Sequence, residues 1–372
     1  MSGLACCDRP LTHRCYRHPR PIILLVINGG TKMSVSIEKG GILRPVKNER
    51  RRIIVAGGAG FVGGHLCHRL VRDGHEVICI DNFQTGRLCN IEHLQADDRF
   101  TCITHDIVRP LPDVGKVDEI YNLACAASPK KYQADPIHTF KTNVFGAINL
   151  LDLAVRDNAT ILQSSTSEVY GDPEVTPQPE TYRGNVNTMG PRSCYDEGKR
   201  AVETLFHDYH NARGARARVA RLFNTYGPGM CPSDGRVISN FVVQALSGEA
   251  VTVYGDGQQT RSFCFISDLV DGLLALMAAP DGPVEPVNLG NPGEFTIDEL
   301  AHSIIATLKS DSVVQYLDLP VDDPKRRRPD ISKAAAYLNW SPKVSLADGL
   351  RVTIPYFAAE IGKANGKLLV AE

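Results

Sequence analysis

The chain has 372 residues, a formal net charge of -1 and 22% charged side chains, which excludes the extended basic face that nucleic-acid binding requires. Its hydrophobic fraction of 43% is that of an ordinary globular protein, and its length suits one large α/β domain with an appended lobe, or two domains. The eleven cysteines are odd in number and scattered, with no CxxC pair or Cys/His cluster at zinc spacing. Free thiols in a reduced, cytoplasmic setting are therefore expected, with no metal.

The first fifty residues read apart from the rest. Ile22 to Ile27 is an apolar run, but it is far shorter than the ~20 residues that cross a bilayer, so no membrane partner is expected. Residues 1–50 read as a non-catalytic, flexible extension.

Regular structure is expected from Arg52. Ile53-Ile54-Val55-Ala56 is a β-branched run ending in Gly57-Gly58-Ala59-Gly60-Phe61-Val62-Gly63-Gly64, and His65 to Val71 has helical periodicity up to Asp73-Gly74. Strand, glycine turn and helix form the first half of a mononucleotide-binding unit. Gly57, Gly60 and Gly63 permit the tight turn, the approach of a pyrophosphate and the packing of helix on strand. The next strand, Glu76 to Ile80, ends in Asp81, about twenty residues on, where an acid accepts hydrogen bonds from an adenosine ribose. The acid favours NAD over NADP, although Arg87 lies near.

The alternation continues with strands at Arg99 to Thr104, ending at His105-Asp106, and at Glu119 to Ala124. A long helix is expected from Pro136 to Asp157, with Thr142 and Asn143 equally suited to core and cofactor roles. Ile161-Leu162-Gln163 opens into the polar segment Ser164 to Gly171, at the strand end where parallel sheets bind ligands. The next helix begins near Arg192 and stops at Gly214, carrying Tyr195 and Lys199 four positions apart on one face. A lysine beside a phenol lowers its pKa, so the pair is a candidate base for an alcohol proton. Thr166 offers a hydroxyl to the same substrate oxygen, and Glu168 a carboxyl that works as acid or base if burial raises its pKa. Together these residues point to hydride transfer at a hydroxyl carbon.

The remainder reads as a substrate lobe, from about residue 226, with some chain crossing back. Val219 to Asn224 is a strand, helices follow at about Asp234 to Leu246 and Asp268 to Met277, and Asn288 to Gly293 reads as a loop. Thr296-Ile297-Asp298-Glu299 has capping-box spacing. The run Asp322 to Asp330 holds Arg326, Arg327 and Arg328; on composition it is a solvated charge run, yet with Arg236 and Arg261 it could seat a phosphorylated ligand.

The glycine loop, Asp81, Thr166-Ser167-Glu168-Val169-Tyr170-Gly171 and the Tyr195/Lys199 pair resemble the extended short-chain dehydrogenase/reductases that act on nucleotide sugars. Ser193 to Arg200, Asn224-Thr225-Tyr226-Gly227-Pro228, Asp234-Gly235-Arg236-Val237, Tyr254-Gly255-Asp256-Gly257 and Pro324 to Asp330 resemble, within them, the UDP-glucuronate decarboxylase (UDP-xylose synthase) family. The similarity runs from about Arg52 to Tyr356. It implies a Rossmann-type doubly wound parallel sheet with a smaller C-terminal α+β lobe, bound NAD, UDP-glucuronate as substrate and a homodimer. It implies cofactor contacts at Gly57, Gly60, Phe61, Val62, Gly63, Asp81, Asn82, Asp106, Leu123, Tyr195 and Lys199. Catalytic roles fall on Thr166, Glu168, Tyr195, Lys199 and Arg261, and nucleotide-sugar contacts on Asn224, Arg236, Arg261 and Arg326. Gly229 departs from the family's usual arginine, Ala126 from a proline and Gly64 from a serine. The rival readings are a nucleotide-sugar 4-epimerase, which uses the same Thr/Tyr/Lys set, and an NAD-binding protein without turnover.

Overall fold

The computed structural model describes residues 22–28, 31–37, 43–45, 49–280, 284–318 and 326–364. Two compact units divide the chain, Met1–Arg50 and Arg51–Glu372. In the first, Ile22–Asn28, Thr31–Ile37 and Leu43–Pro45 pair as an antiparallel sheet, so the apolar run is a strand. Most of the extension expected to be flexible lies outside the described residues.

The second unit is built on seven parallel strands: β1 (Arg52–Ala56), β2 (Glu76–Asp81), β3 (Phe100–Thr104), β4 (Glu119–Asn122), β5 (Thr160–Thr166), β6 (Arg216–Leu222) and β7 (Val287–Leu289). Their spatial order is β7-β6-β5-β4-β1-β2-β3. Parallel strands need helical crossovers on both faces, so the central ones are apolar on both sides. Alternate residues divide between two cores. Ile53, Val55, Val77 and Cys79 pack with Leu66 and Leu70 of helix α1 (Phe61–Arg72). Ile54, Ile78, Ile120 and Ile161 face Leu150, Leu151 and Ala154 of α2 (Ala147–Asp157) and Val202 and Phe206 of α3 (Ser193–Arg213). The winding reverses between β1 and β4, which opens a crevice at their C-terminal ends.

Two elements differ from expectation. The helical stretch 136–157 contains a π turn at Thr142–Gly146, where Asn143 donates to Thr139 O and Cys125 Sγ. Asn143 is thus a packing residue between this stretch and α3, where a β-carbon on Gly198 would stand 2.9 Å from its Nδ2. Asn288 belongs to strand β7 rather than a loop, because Val287–Leu289 returns to the sheet beside β6 after a long excursion through the lobe.

The lobe holds a three-stranded sheet, Glu294–Thr296, Thr260–Ser262 and Arg326–Arg327, and a parallel pair, Val251–Tyr254 with Val314–Leu317. The capping box at Thr296 and Glu299 forms and starts helix Ile297–Leu308. The last described helix, α4 (Leu346–Ala364), packs on Val237–Ser247 and Ile297–Leu308. Among the described residues no helix is long and apolar enough to cross a membrane.

Candidate active site

A cleft of about 390 Å³ lies over the crevice, and Gly57, Gly60, Phe61, Val62, Gly63, Asp81, Asn82, Asp106 and Leu123 all line it. Gly63 must be glycine, since a β-carbon there would stand 2.1 Å from Gly57 O. That contact seats α1 directly on the turn, aiming its N-terminus into the cleft. Asp81 closes the end of β2. Its carboxylate accepts from Ala59 N at 3.0 Å and from Phe83 N at 2.8 Å, tying the glycine turn to the loop beyond. Burial pushes its pKa up, and these two N–H groups oppose the rise. Asp106 accepts from Val108 N and pairs with His138 Nε2 at 2.8 Å. Thr142 lines the same cleft while its hydroxyl donates to His138 O. The arrangement fits a dinucleotide: a side-chain-free turn at a helix N-terminus, and an acid at the neighbouring strand end with lone pairs to spare.

A second cavity, of about 660 Å³, shares Val62, Leu123, Cys125, Ala127 and Arg236 with the first. Thr166, Glu168, Tyr195, Lys199, Asn224, Arg236 and Arg261 line it. Sheet and helix explain the meeting of the first four: β5 ends at Thr166, a single 3-10 turn carries Glu168, and the first turns of α3 bring Tyr195 and Lys199 over that strand end. Tyr195 is buried beside the Thr166 side chain, and its ring stacks on Tyr132 with centroids 4.9 Å apart and planes 6° apart. Lys199 Nζ donates to Ser164 O at 2.8 Å and lies 5.7 Å from the Tyr195 ring centroid.

The electrostatics correct two expectations. Burial, with the nearby Cys125 and Glu168, pushes the Tyr195 phenol well above its usual pKa, and burial lowers that of Lys199. The lysine therefore does not by itself make a phenolate, because burial disfavours the charged form of both groups. Glu168 would work as acid or base if burial raised its pKa. Burial does raise its pKa, but Arg327 and Arg192 overcome this and hold it down at about 2. Arg192 Nη2 donates to Oε2 at 2.5 Å, and Arg327 donates to both oxygens. Glu168 is an ionised anchor here, not a neutral acid.

Arg326 is also corrected. It is exposed and outside the cavity, whereas Arg327 is buried and lines it. In the strand Arg326–Arg327, successive side chains point to opposite faces, and Arg327 is the one in register with Arg261. Period-two parity could have chosen between them had the strand been recognised. Asp322 to Lys325 lie outside the described residues. Arg192, one residue before α3, lines the second cavity, and Arg87 lines the dinucleotide cleft, though no local sequence pattern places either there. At Gly229, φ is +90° and a β-carbon would stand 3.3 Å from His65 Nε2. His65 Nε2 makes a 2.7 Å hydrogen bond to Pro228 O, so an arginine here would strain the left-handed backbone and press on the His65 ring.

Residues 53–290 match the model of the NAD dependent epimerase/dehydratase family. The chain belongs to that family. The dinucleotide its cleft takes is accordingly NAD. Curated relatives include UDP-glucuronic acid decarboxylase 1 of Arabidopsis thaliana, 55% identical over 82% of this chain and 69% of the relative. UDP-glucuronic acid decarboxylase 1 of Danio rerio is 54% identical over 85% of this chain and 76% of its own. Among solved structures, UDP-glucuronic acid 4-epimerase from Bacillus cereus, in complex with UDP-glucuronic acid and NAD, superposes with a TM-score of 0.74. It is 28% identical, covering 82% of this chain and 98% of that one. The seven-stranded sheet is thus that of the family, with a smaller lobe on its C-terminal side.

Proposed function

We propose that this member of the NAD dependent epimerase/dehydratase family decarboxylates UDP-glucuronate to UDP-xylose and carbon dioxide, regenerating NAD within each turnover. The observation that carries the reading is identity of 50% or more to UDP-glucuronic acid decarboxylases of plants and vertebrates, over most of the chain. The two adjoining cavities support it, one suited to a dinucleotide and the other to a sugar nucleotide.

When bound, NAD supplies a hydride acceptor and a positive charge beside the sugar. Tyr195 takes the proton of the C4 hydroxyl as the C4 hydride departs, with Thr166 hydrogen-bonded at the same oxygen. The product is a 4-keto uronate, a β-keto acid. Its C5–C6 bond breaks to release carbon dioxide, and the electron pair moves onto the C4 oxygen as an enolate that Tyr195 and Thr166 stabilise. C5 then takes a proton, the hydride returns to C4 and Tyr195 returns its proton to O4. Net uptake of one proton replaces the lost carboxylate. Lys199 biases Tyr195 toward its charged form once ligands fill the cavity. Arg261, buried in the cavity wall, is the counter-charge for the uronate, and Asn224, Arg236 and Arg327 are the contacts for the UDP moiety.

Purified protein incubated with UDP-glucuronate should release carbon dioxide and UDP-pentose without added NAD. Formation of UDP-galacturonate instead would favour the 4-epimerase reading. A homodimer is supported by Ile137, Phe140 and Phe145, large apolar side chains left exposed along residues 136–146. Sedimentation should show a dimer that Phe140→Asp with Phe145→Asp dissociates. The cysteines of the described residues are free thiols, which supports a cytoplasmic location.

A further inference from the structure

Arg87 lines the dinucleotide cleft but takes no part in the reaction outlined above. It sits at the ribose end. The preceding residue, Gly86, is so close to Asp81 that a β-carbon on it would stand 2.6 Å from Oδ1, and Arg87 N donates to Ala59 O at 2.9 Å. Its guanidinium is turned toward α4. Nη2 is ion-paired with the Glu360 carboxylate, and Nη1 donates to the Tyr356 hydroxyl at 3.1 Å. The Tyr356 hydroxyl donates in turn to Met230 O at 3.2 Å, and Lys363 Nζ reaches Glu360 Oε1 at 3.3 Å. Glu360 is only 11% exposed at its side chain.

An arginine next to the acid at this strand end is the group that accommodates a ribose 2′-phosphate, because its planar fork matches phosphate oxygens. Here the Glu360 carboxylate and the Tyr356 hydroxyl of the last described helix already occupy both terminal nitrogens of that fork. We propose that Glu360 is a coenzyme-specificity residue: by occupying Arg87 it denies a 2′-phosphate its counter-charge. Two carboxylates then exclude NADP, Asp81 from the strand end and Glu360 from α4. Reading the strand end alone finds only the first. This inference rests on the assignment of the cleft to a dinucleotide.

The test is equilibrium dialysis of the full chain against equal concentrations of NAD and NADP, followed by extraction and chromatography of the retained nucleotides. The wild-type protein should retain NAD. Glu360→Gln keeps shape while removing charge, and should raise the retained NADP:NAD ratio roughly tenfold or more, the worth of one charge-assisted hydrogen bond. Adding Arg87→Met to Glu360→Gln should cancel that gain. An unchanged ratio in Glu360→Gln would overturn the proposal, as would a gain that persists without Arg87. Loss of both nucleotides from Glu360→Gln alone would make the residue a brace for α4 and also overturn it. Failure of the wild-type protein to hold either dinucleotide would instead strike the cofactor assignment.

Discussion

Arg327 grips the Glu168 carboxylate at both oxygens, with Nη1 2.6 Å from Oε1 and Nη2 3.0 Å from Oε2. Arg192 closes on the same Oε2 from the start of α3. The pair thus joins the lobe strand Arg326–Arg327 to the end of β5, across the cavity where the sugar would lie. Two-point arginine contacts are the strong form of the ion pair, and these side chains are largely removed from water. For Glu168 to exchange a proton during turnover, an arginine must first be drawn away, and the phosphates or carboxylate of a ligand are the competing anions.

Substitution of Glu168 should therefore cost stability as well as activity. Its folded pKa of about 2 lies below the ordinary glutamate value of 4.5, a difference worth on the order of 3 kcal/mol. A depressed carboxylate pKa stabilises the fold fully above the unfolded value and less and less as pH falls toward the folded one. Glu168→Gln should thus be destabilised by roughly that amount at pH 7, since two buried guanidinium groups lose their counter-charge. The gap to wild type should narrow as pH drops from about 4.5 toward 2. Denaturant titrations across this range measure it; a gap independent of pH would contradict the ion-pair account.

Neighbouring arginines should behave in opposite ways. Arg326→Ala removes an exposed side chain on the outer face of its strand and should change kcat/KM for UDP-glucuronate by less than a few-fold. Arg327→Ala removes a buried cavity side chain and should lower kcat/KM by about 100-fold or more, the scale on which binding suffers when one partner of a buried charge pair is truncated. Steady-state kinetics of both variants decide the matter, and comparable losses would mean the strand's register differs in the working enzyme.

The contrast also marks where sequence reasoning succeeds and where it stops. The run Ile53 to Ala56 announces a strand buried on both faces, and strand, glycine turn and helix are contiguous. The dinucleotide residues from Gly57 to Leu123 consequently all meet in one cleft. Arg327 depends on something non-local, the pairing of a two-residue strand with Thr260–Ser262. The charge state of Glu168 depends on partners 24 and 159 residues away, so no local pattern reports it. Val287–Leu289 is too short to carry a periodicity, and only its pairing with β6 makes it a strand.

Tyr195→Phe should leave the cleft intact and stop the first step. The hydroxyl is the only part removed, and the ring keeps its stacking on Tyr132. Loss of a general base costs about 100-fold to 10,000-fold in kcat. The variant should retain NAD, show no reduced coenzyme absorbance on adding UDP-glucuronate and release no carbon dioxide. Turnover near the wild-type rate would assign the base elsewhere.

Lys199→Met tests how the buried phenol becomes a base. Desolvation holds Tyr195 in its neutral form, and Lys199, itself lowered by burial, places Nζ 5.7 Å from the Tyr195 ring centroid, where a cation would favour the ionised form. Removing that charge should make the phenol harder to ionise, so the acid limb of the kcat profile should move to higher pH. Methionine keeps most of the apolar stem but gives up the hydrogen bond to Ser164 O, so some loss of rate at every pH is also expected. A purely structural lysine would lower kcat by one factor throughout and leave the limb where it stands. The profile, measured with UDP-glucuronate and saturating NAD, therefore separates an electrostatic role for Lys199 from a bracing one.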